Sequence, residues 1–178
     1  MSASRVARAA GFSLALAAVL SLSGAGCAGY RLGPAYGLEA HEKSVQFSPF
    51  ANQTLEPRLT DTVTTQLRSE LQRDGTYQLA SHGEGDIIVT GTLTHYDRAE
   101  VTLASQDILT VRDFRLTLTA QVTARERSTG KIIFNQAVSG HTLIRVGNDL
   151  TSAERQGMPL LAGDLAKQVT ALLVEGKW

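Results

Sequence analysis

The chain has 178 residues, 17 basic and 17 acidic, so it is formally neutral, and 43% of it is hydrophobic. Neutrality without a lysine or arginine run excludes the basic footprint of a nonspecific nucleic-acid binder. A single cysteine excludes an intrachain disulfide, and the length suits one domain with a real hydrophobic core.

Arg5 and Arg8 give a positive start, FSLALAAVLSL over residues 12–22 is apolar, and small residues follow up to Cys27. This is the order of a secretory signal. The run is short of the roughly 17 to 25 residues of a membrane-crossing helix. Leu22-Ser23-Gly24-Ala25-Gly26-Cys27 admits two readings: a plain cleavable signal beside a chance cysteine, or a lipoprotein signal ending at an acylated Cys27. The second disposes of a free thiol that would be exposed to oxidation. Each buried acyl methylene contributes about 0.8 kcal/mol, so several chains anchor durably. The lipoprotein pattern puts a large aliphatic residue where this chain has Gly24. Ala28, not an aspartate, follows the cysteine, which by resemblance to the sorting rule of two-membrane bacteria implies the outer membrane. The expected organisation is a signal peptide over 1–26, a lipidated tether over 27–42 carrying Gly29, Gly33, Pro34 and Gly37, and one domain over 43–178. Loss of Arg5 and Arg8 leaves the mature chain faintly acidic.

Lys43 to Phe50 alternates, with Val45 and Phe47 on one face, and reads as a strand that Pro49 ends or confines to an edge. Residues 51–54 read as a turn. Pro57 suits the first turn of a helix, and Leu59, Val63, Leu67 and Leu71 form its apolar stripe. Arg58, Asp61, Thr65, Arg68 and Gln72 lie opposite, and Gly75 suits a left-handed cap. Thr76 to Ala80 is a short strand and Ser81 to Gly85 a turn. Asp86 to Tyr96 is a strand with Ile87, Val89 and Leu93 on one face and Ile88, Thr90, Thr92 and Thr94 on the other. Gly91 marks a bulge or a close approach. Ala99 to Leu109 is an irregular strand or an edge loop.

Asp113 to Arg125 has the clearest two-residue period: Phe114, Leu116, Leu118, Ala120, Val122 and Ala124 one way, and Arg115, Thr117, Thr119, Gln121, Thr123 and Arg125 the other. That is a sheet with one buried and one wet face. Ser128-Thr129-Gly130-Lys131 makes a hairpin turn, with Gly130 at positive φ, and Lys131 to Val138 returns as its partner. His141 to Asp149 is extended, then loop. Thr151 and Glu154 have the spacing of a capping box. Pro159 predicts a kink or two helical pieces. Leu161, Leu165, Val169 and Leu172, widened by Ala162, Ala166 and Leu173, line the last helix. The predicted class is α/β (α+β): a two-layer sandwich with two helices packed on one face of a mostly antiparallel four- or five-stranded sheet.

No residue pattern carries catalysis. HExxH, CxxC, a Walker loop and GxSxG are missing, and His41, His82, His95 and His141 lack the close spacing of metal ligands. Asp86, Asp97, Asp107 and Asp113 read as turn and edge residues rather than a hydrolytic pair. No cofactor, metal or nucleic-acid partner is expected. Arg125 and Arg127 before the hairpin turn, and Lys131 after it, form a small basic tip suited to a headgroup or phosphate, diluted by Glu126. The threonine-rich sheet face is either solvated or set inside a polar enclosure such as a barrel lumen.

Several stretches together resemble the LptE family of lipopolysaccharide-assembly lipoproteins. They are Cys27-Ala28-Gly29-Tyr30-Arg31-Leu32, the strand Val45 to Thr54 with its phenylalanine, asparagine and threonine, the helix Arg58 to Arg68, and Leu161 to Val169. The resemblance covers essentially all of the mature chain. Gly24 and the extra Ala28 depart from the family's start. The resemblance implies a non-enzymatic plug, lipid-anchored to the outer membrane and facing the periplasm. It implies a partner barrel of the LptD type, whose folding the plug assists, and lipopolysaccharide as cargo. Lys131, with Arg125 and Arg127 beside it, is the nearest match to the family's basic contacts to lipopolysaccharide. The alternative is a lipid-anchored solute- or lipid-binding accessory of an envelope transporter, which would need a cavity between helices and sheet.

Overall fold

The computed structural model describes residues 43–81, 83–101, 112–147 and 149–175. Cys27, the tether, His41, His82 and Asp107 lie outside them. The elements in chain order are β1 (Ser44–Phe47), β2 (Ala51–Asn52), α1 (Leu59–Asp74), β3 (Gln78–Leu79), β4 (Ile87–Val101), β5 (Arg112–Glu126), β6 (Ile132–Val146) and α2 (Leu150–Glu175). They form one six-stranded sheet in the order β3-β1-β4-β5-β6, with β2 also on β4. Both helices pack on the same face. The α+β two-layer expectation therefore holds, with one more strand than expected.

The sheet is mixed. β4, β5 and β6 are antiparallel neighbours of 15 residues each, whereas β1 runs parallel to both β3 and β4. The parallel pairs follow from α1, which carries the chain back across the sheet between β1 and β3. Residues 51–52, expected as turn, instead pair with Thr92 and Leu93 of β4.

Alternation decides what each strand buries. Val45, Phe47, Ile87, Val89, Leu93 and the five residues Leu116, Leu118, Ala120, Val122 and Ala124 point under the helices and are buried. From α1, Leu59, Val63, Leu67 and Leu71 meet them, all within 1% of full burial. From α2 come Leu161, Ala162, Leu165, Ala166, Val169 and Leu173; Leu172 is only partly buried, so Leu173 holds the stripe position assigned to it. Gly91 makes a close approach rather than a bulge: a Cβ there would stand 2.4 Å from the Phe50 ring. The bulge lies at Leu93/His95 and moves the inward set from odd to even residues, so Tyr96, not His95, continues the inner row.

The ends of the helices are set by identifiable groups. α1 stops at Gly75, whose φ of 75° allows its N–H to reach the Leu71 carbonyl at 3.1 Å. The expected Thr151–Glu154 capping box does not form. Asp149 caps α2 instead, accepting from the Thr151 and Ser152 amides at 3.0 and 3.1 Å. Glu154 is thereby released to pair with Arg98 of β4. Pro159 does not divide α2, which runs unbroken through 26 residues. The extended stretch expected from His141 is the end of β6, which runs to Val146, and β4 continues past Tyr96 to Val101. Tyr77 ties β3 to the end of α2 through a 3.1 Å bond from its hydroxyl to the Leu173 carbonyl. Burial pushes that phenol's pKa up.

Candidate functional site

The face of β5 and β6 turned away from the helices is covered by no described element. On it, pairs of polar side chains join the two strands in a row. Thr117 Oγ1 is 3.2 Å from His141 Nδ1, the hydroxyls of Thr119 and Ser139 are 2.8 Å apart, and Gln121 Nε2 donates to Asn135 Oδ1 at 2.6 Å. Asp113 and Arg145 close the far end with a 3.0 Å ion pair. The register places Thr117 opposite His141, Thr119 opposite Ser139 and Asp113 opposite Arg145, while Gln121 reaches Asn135 on the diagonal, so alternation in the sequence becomes a ladder in space. Thr94, at the bulge, donates to the Thr119 carbonyl at 3.2 Å. Leu143 and Ile132 stand 61% and 55% exposed in this polar field.

Arg125, Arg127 and Lys131 all sit at the closed end of the β5–β6 hairpin, but they are not equivalent. Arg127 is spent on architecture. Its guanidinium donates to the Gly85 carbonyl at 2.8 Å, to Gln46 Oε1 at 2.6 Å and to the Gly83 carbonyl. Its amide donates to the Asp86 carbonyl at 2.7 Å. The Arg125 and Lys131 side chains are exposed and make no hydrogen bond or ion pair among the described residues. Between them, Glu126 takes the Thr129 hydroxyl at 2.7 Å and the Lys43 ammonium at 3.3 Å. The Thr129 bond first, then Lys43, holds the Glu126 carboxyl below its ordinary pKa. The tip therefore presents the exposed Arg125 guanidinium and the exposed Lys131 ammonium, the latter also helping to hold the Glu126 carboxylate ionised.

A second place was not legible as a site. Beyond β2, a cavity of about 540 Å³ lies between residues 53–56 and residues 94–98 of β4. Asn52 builds its near wall. Its Oδ1 accepts from the Thr54 amide at 2.9 Å and hydroxyl at 2.7 Å, and its Nδ2 donates to the Glu56 carbonyl at 2.8 Å. This turn leaves Leu55 99% exposed. On the far wall, the Tyr96 hydroxyl is buried without a hydrogen-bond partner among the described residues. Burial, then Glu154 and Glu56, push that phenol up to about 12. The run Asn-Gln-Thr was a readable turn signal. The register shift between Leu93 and His95 has no residue type that announces it.

Among the described residues no group of three or more His, Cys, Asp or Glu could hold a metal ion, and no helix is long and apolar enough to cross a membrane. His95 and His141 are exposed. Asp86 accepts from Ser44 at the start of the sheet, with 2.9 Å to its amide and 2.7 Å to its hydroxyl.

Residues 42–173 match the model of the LptE family, described as lipopolysaccharide-assembly. The chain belongs to that family. A search of curated proteins finds no match to the sequence. In fold it is similar to a hypothetical protein from Chlamydia trachomatis, at 10% identity and a TM-score of 0.55 over 75% of this chain and 96% of that one. It is also similar to a protein from Xanthomonas campestris, at 8% identity and a TM-score of 0.55 over 82% and 91%. A minor lipoprotein from Acinetobacter baumannii aligns over 75% and 93% at 22% identity and a TM-score of 0.46. As a member of the LptE family, the protein is a non-enzymatic, lipid-anchored lipoprotein of the outer membrane that acts in lipopolysaccharide assembly.

Proposed function

We propose that the domain is the plug of a large β-barrel of the LptD type, which it helps to assemble and through which lipopolysaccharide reaches the cell surface. The observation that carries this reading is the bare face of β5 and β6. It is a ladder of hydroxyl, amide and imidazole groups already paired to one another, with no element over it among the described residues. Such a face loses little on meeting the polar wall of a barrel lumen, because few of its polar groups are left without a partner. Acylated Cys27 tethers the plug to the membrane, with residues 27–42 as its leash. Arg125 and Lys131 offer two exposed cations to phosphate or carboxylate on lipopolysaccharide. Arg127 keeps the neighbouring loop in place beneath them.

The transporter-accessory reading needs room for a ligand between helices and sheet. There the core side chains are buried, and the two cavities between the first turns of α1 and α2 hold about 110 and 200 Å³. Ligand pockets usually run from about 300 Å³ upwards. Affinity purification of the tagged chain from detergent-solubilised outer membranes, with mass spectrometry of the partners, tests the plug. A stoichiometric large barrel protein is expected. Recovery of inner-membrane transporter subunits instead would overturn it.

A further inference from the structure

The cavity beside Leu55 lies along a strand edge. Its β4 lining takes residues of both parities, Thr94 to Arg98, so it opens on the side of the strand and not on either face. The line of β1 and β2 covers that side of β4 only as far as Leu93, whose carbonyl accepts from Gln53 at 2.9 Å. Past Leu93, β4 runs on to Val101 with β5 on one side and no described strand on the other.

Hydrogen-bond alternation fixes which groups face the gap. The His141 amide points away from β5, to Asp164 Oδ2 at 2.8 Å. Thr117, opposite His141, therefore turns its own amide and carbonyl to Asp97. Tyr96, Arg98 and Glu100, between the inward-bonding positions, direct their N–H and C=O groups outwards. The same carboxylate of Asp164 shows that the other long edge, β6, is partly closed: α2 crosses it so tightly that a Cβ on Gly140 would be 2.5 Å from the Leu165 nitrogen. The β4 edge has no such cover among the described residues.

The geometry points to strand addition: an extended, basic segment of a partner protein lies in the cavity as a continuation of β2 and pairs with β4 at Tyr96, Arg98 and Glu100. Main-chain bonds supply affinity in this mode and alternate side chains supply selectivity. Charge names the kind of segment. Glu56 and Asp97 line the gap and Glu100 follows along the edge, none with an ion pair among the described residues, while Arg98 is engaged by Glu154. Leu55, held outwards by the Asn52 turn, gives the segment an apolar contact at its entrance.

This goes beyond the plug reading and needs no barrel for its test. Full-length protein in detergent micelles is titrated into a short fluorescent peptide of alternating lysine and valine, and anisotropy is followed. Binding is expected, weakened about tenfold or more by Glu100→Pro, which removes one outward N–H, and distinctly less by Glu100→Ala, which keeps that N–H and loses only one carboxylate. The double variant Glu56→Gln, Asp97→Asn should weaken it and flatten its salt dependence. A fully N-methylated peptide, offered to the unaltered protein, should not bind, and this arm does not depend on how the proline variant folds. An unaltered protein that ignores the peptide, or that binds the methylated one equally, overturns strand addition. Either result leaves the barrel purification untouched, so the two readings fail separately.

Discussion

The two faces of β5 are made by the same strand and differ in almost everything else. Leu116, Leu118, Ala120, Val122 and Ala124 are completely buried under the helices. Thr117, Thr119 and Gln121 look the other way and bond across to β6. One face holds the fold together through apolar area removed from water. The other contributes little to stability, because its hydrogen bonds replace equally good bonds to water. The contrast separates what the domain needs in order to exist from what it offers to a partner.

The largest effect should come where helix and sheet backbones touch. Gly140→Val drives a side chain into the backbone of α2 at Leu165 and should cost about 3 kcal/mol or more in denaturant unfolding. Leu165→Ala or Leu118→Ala should cost about 2 to 5 kcal/mol each by the same measurement. On the opposite face, Thr119→Val and Gln121→Ala should change stability by less than about 1 kcal/mol while lowering recovery of the barrel. Equal losses from the two faces would break the contrast.

Smallest is the effect of acid. Asp86 is held below the ordinary carboxylate pKa by its bonds from Ser44, Asp113 by Arg145, Glu126 by Thr129, and Asp149 by Ser152. A depressed folded pKa gives stability that is present above the unfolded value and lost as pH falls through the folded one. Denaturant midpoints should therefore stay flat from these groups at neutral pH and fall below about pH 4. All four carboxylates lie at the surface, so solvent screening keeps the change small. A fall between pH 8 and 6 would point to other groups.

Much of this was legible because period and burial coincide. The four-residue stripe from Leu59 to Leu71 and the two-residue alternation from Phe114 to Ala124 state their buried faces outright, and Gly130 does take positive φ, at 72°. The misses share a cause. Thr151 and Glu154 have the spacing of a capping box, but Asp149, two residues earlier, reaches the Thr151 and Ser152 amides instead. Of the two outcomes Pro159 suggests, a kink or two helical pieces, the second does not occur, because tertiary packing on both sides of it is invisible to local propensity. Parallel pairing and the bulge at Leu93 are non-local, set by where α1 returns the chain and by the register with β5. At the tip, three basic residues could be named, but that Arg127 is consumed by Gly83, Gly85 and Gln46 depends on a loop more than forty residues away.

The most direct test places a photo-crosslinking residue in living cells at Gln121, in the middle of the bare face, and in a second strain at Arg68, on the exposed side of α1. The account predicts a crosslink from position 121 to a large outer-membrane barrel protein and none from position 68. A barrel crosslink from position 68 with silence at 121 would contradict it.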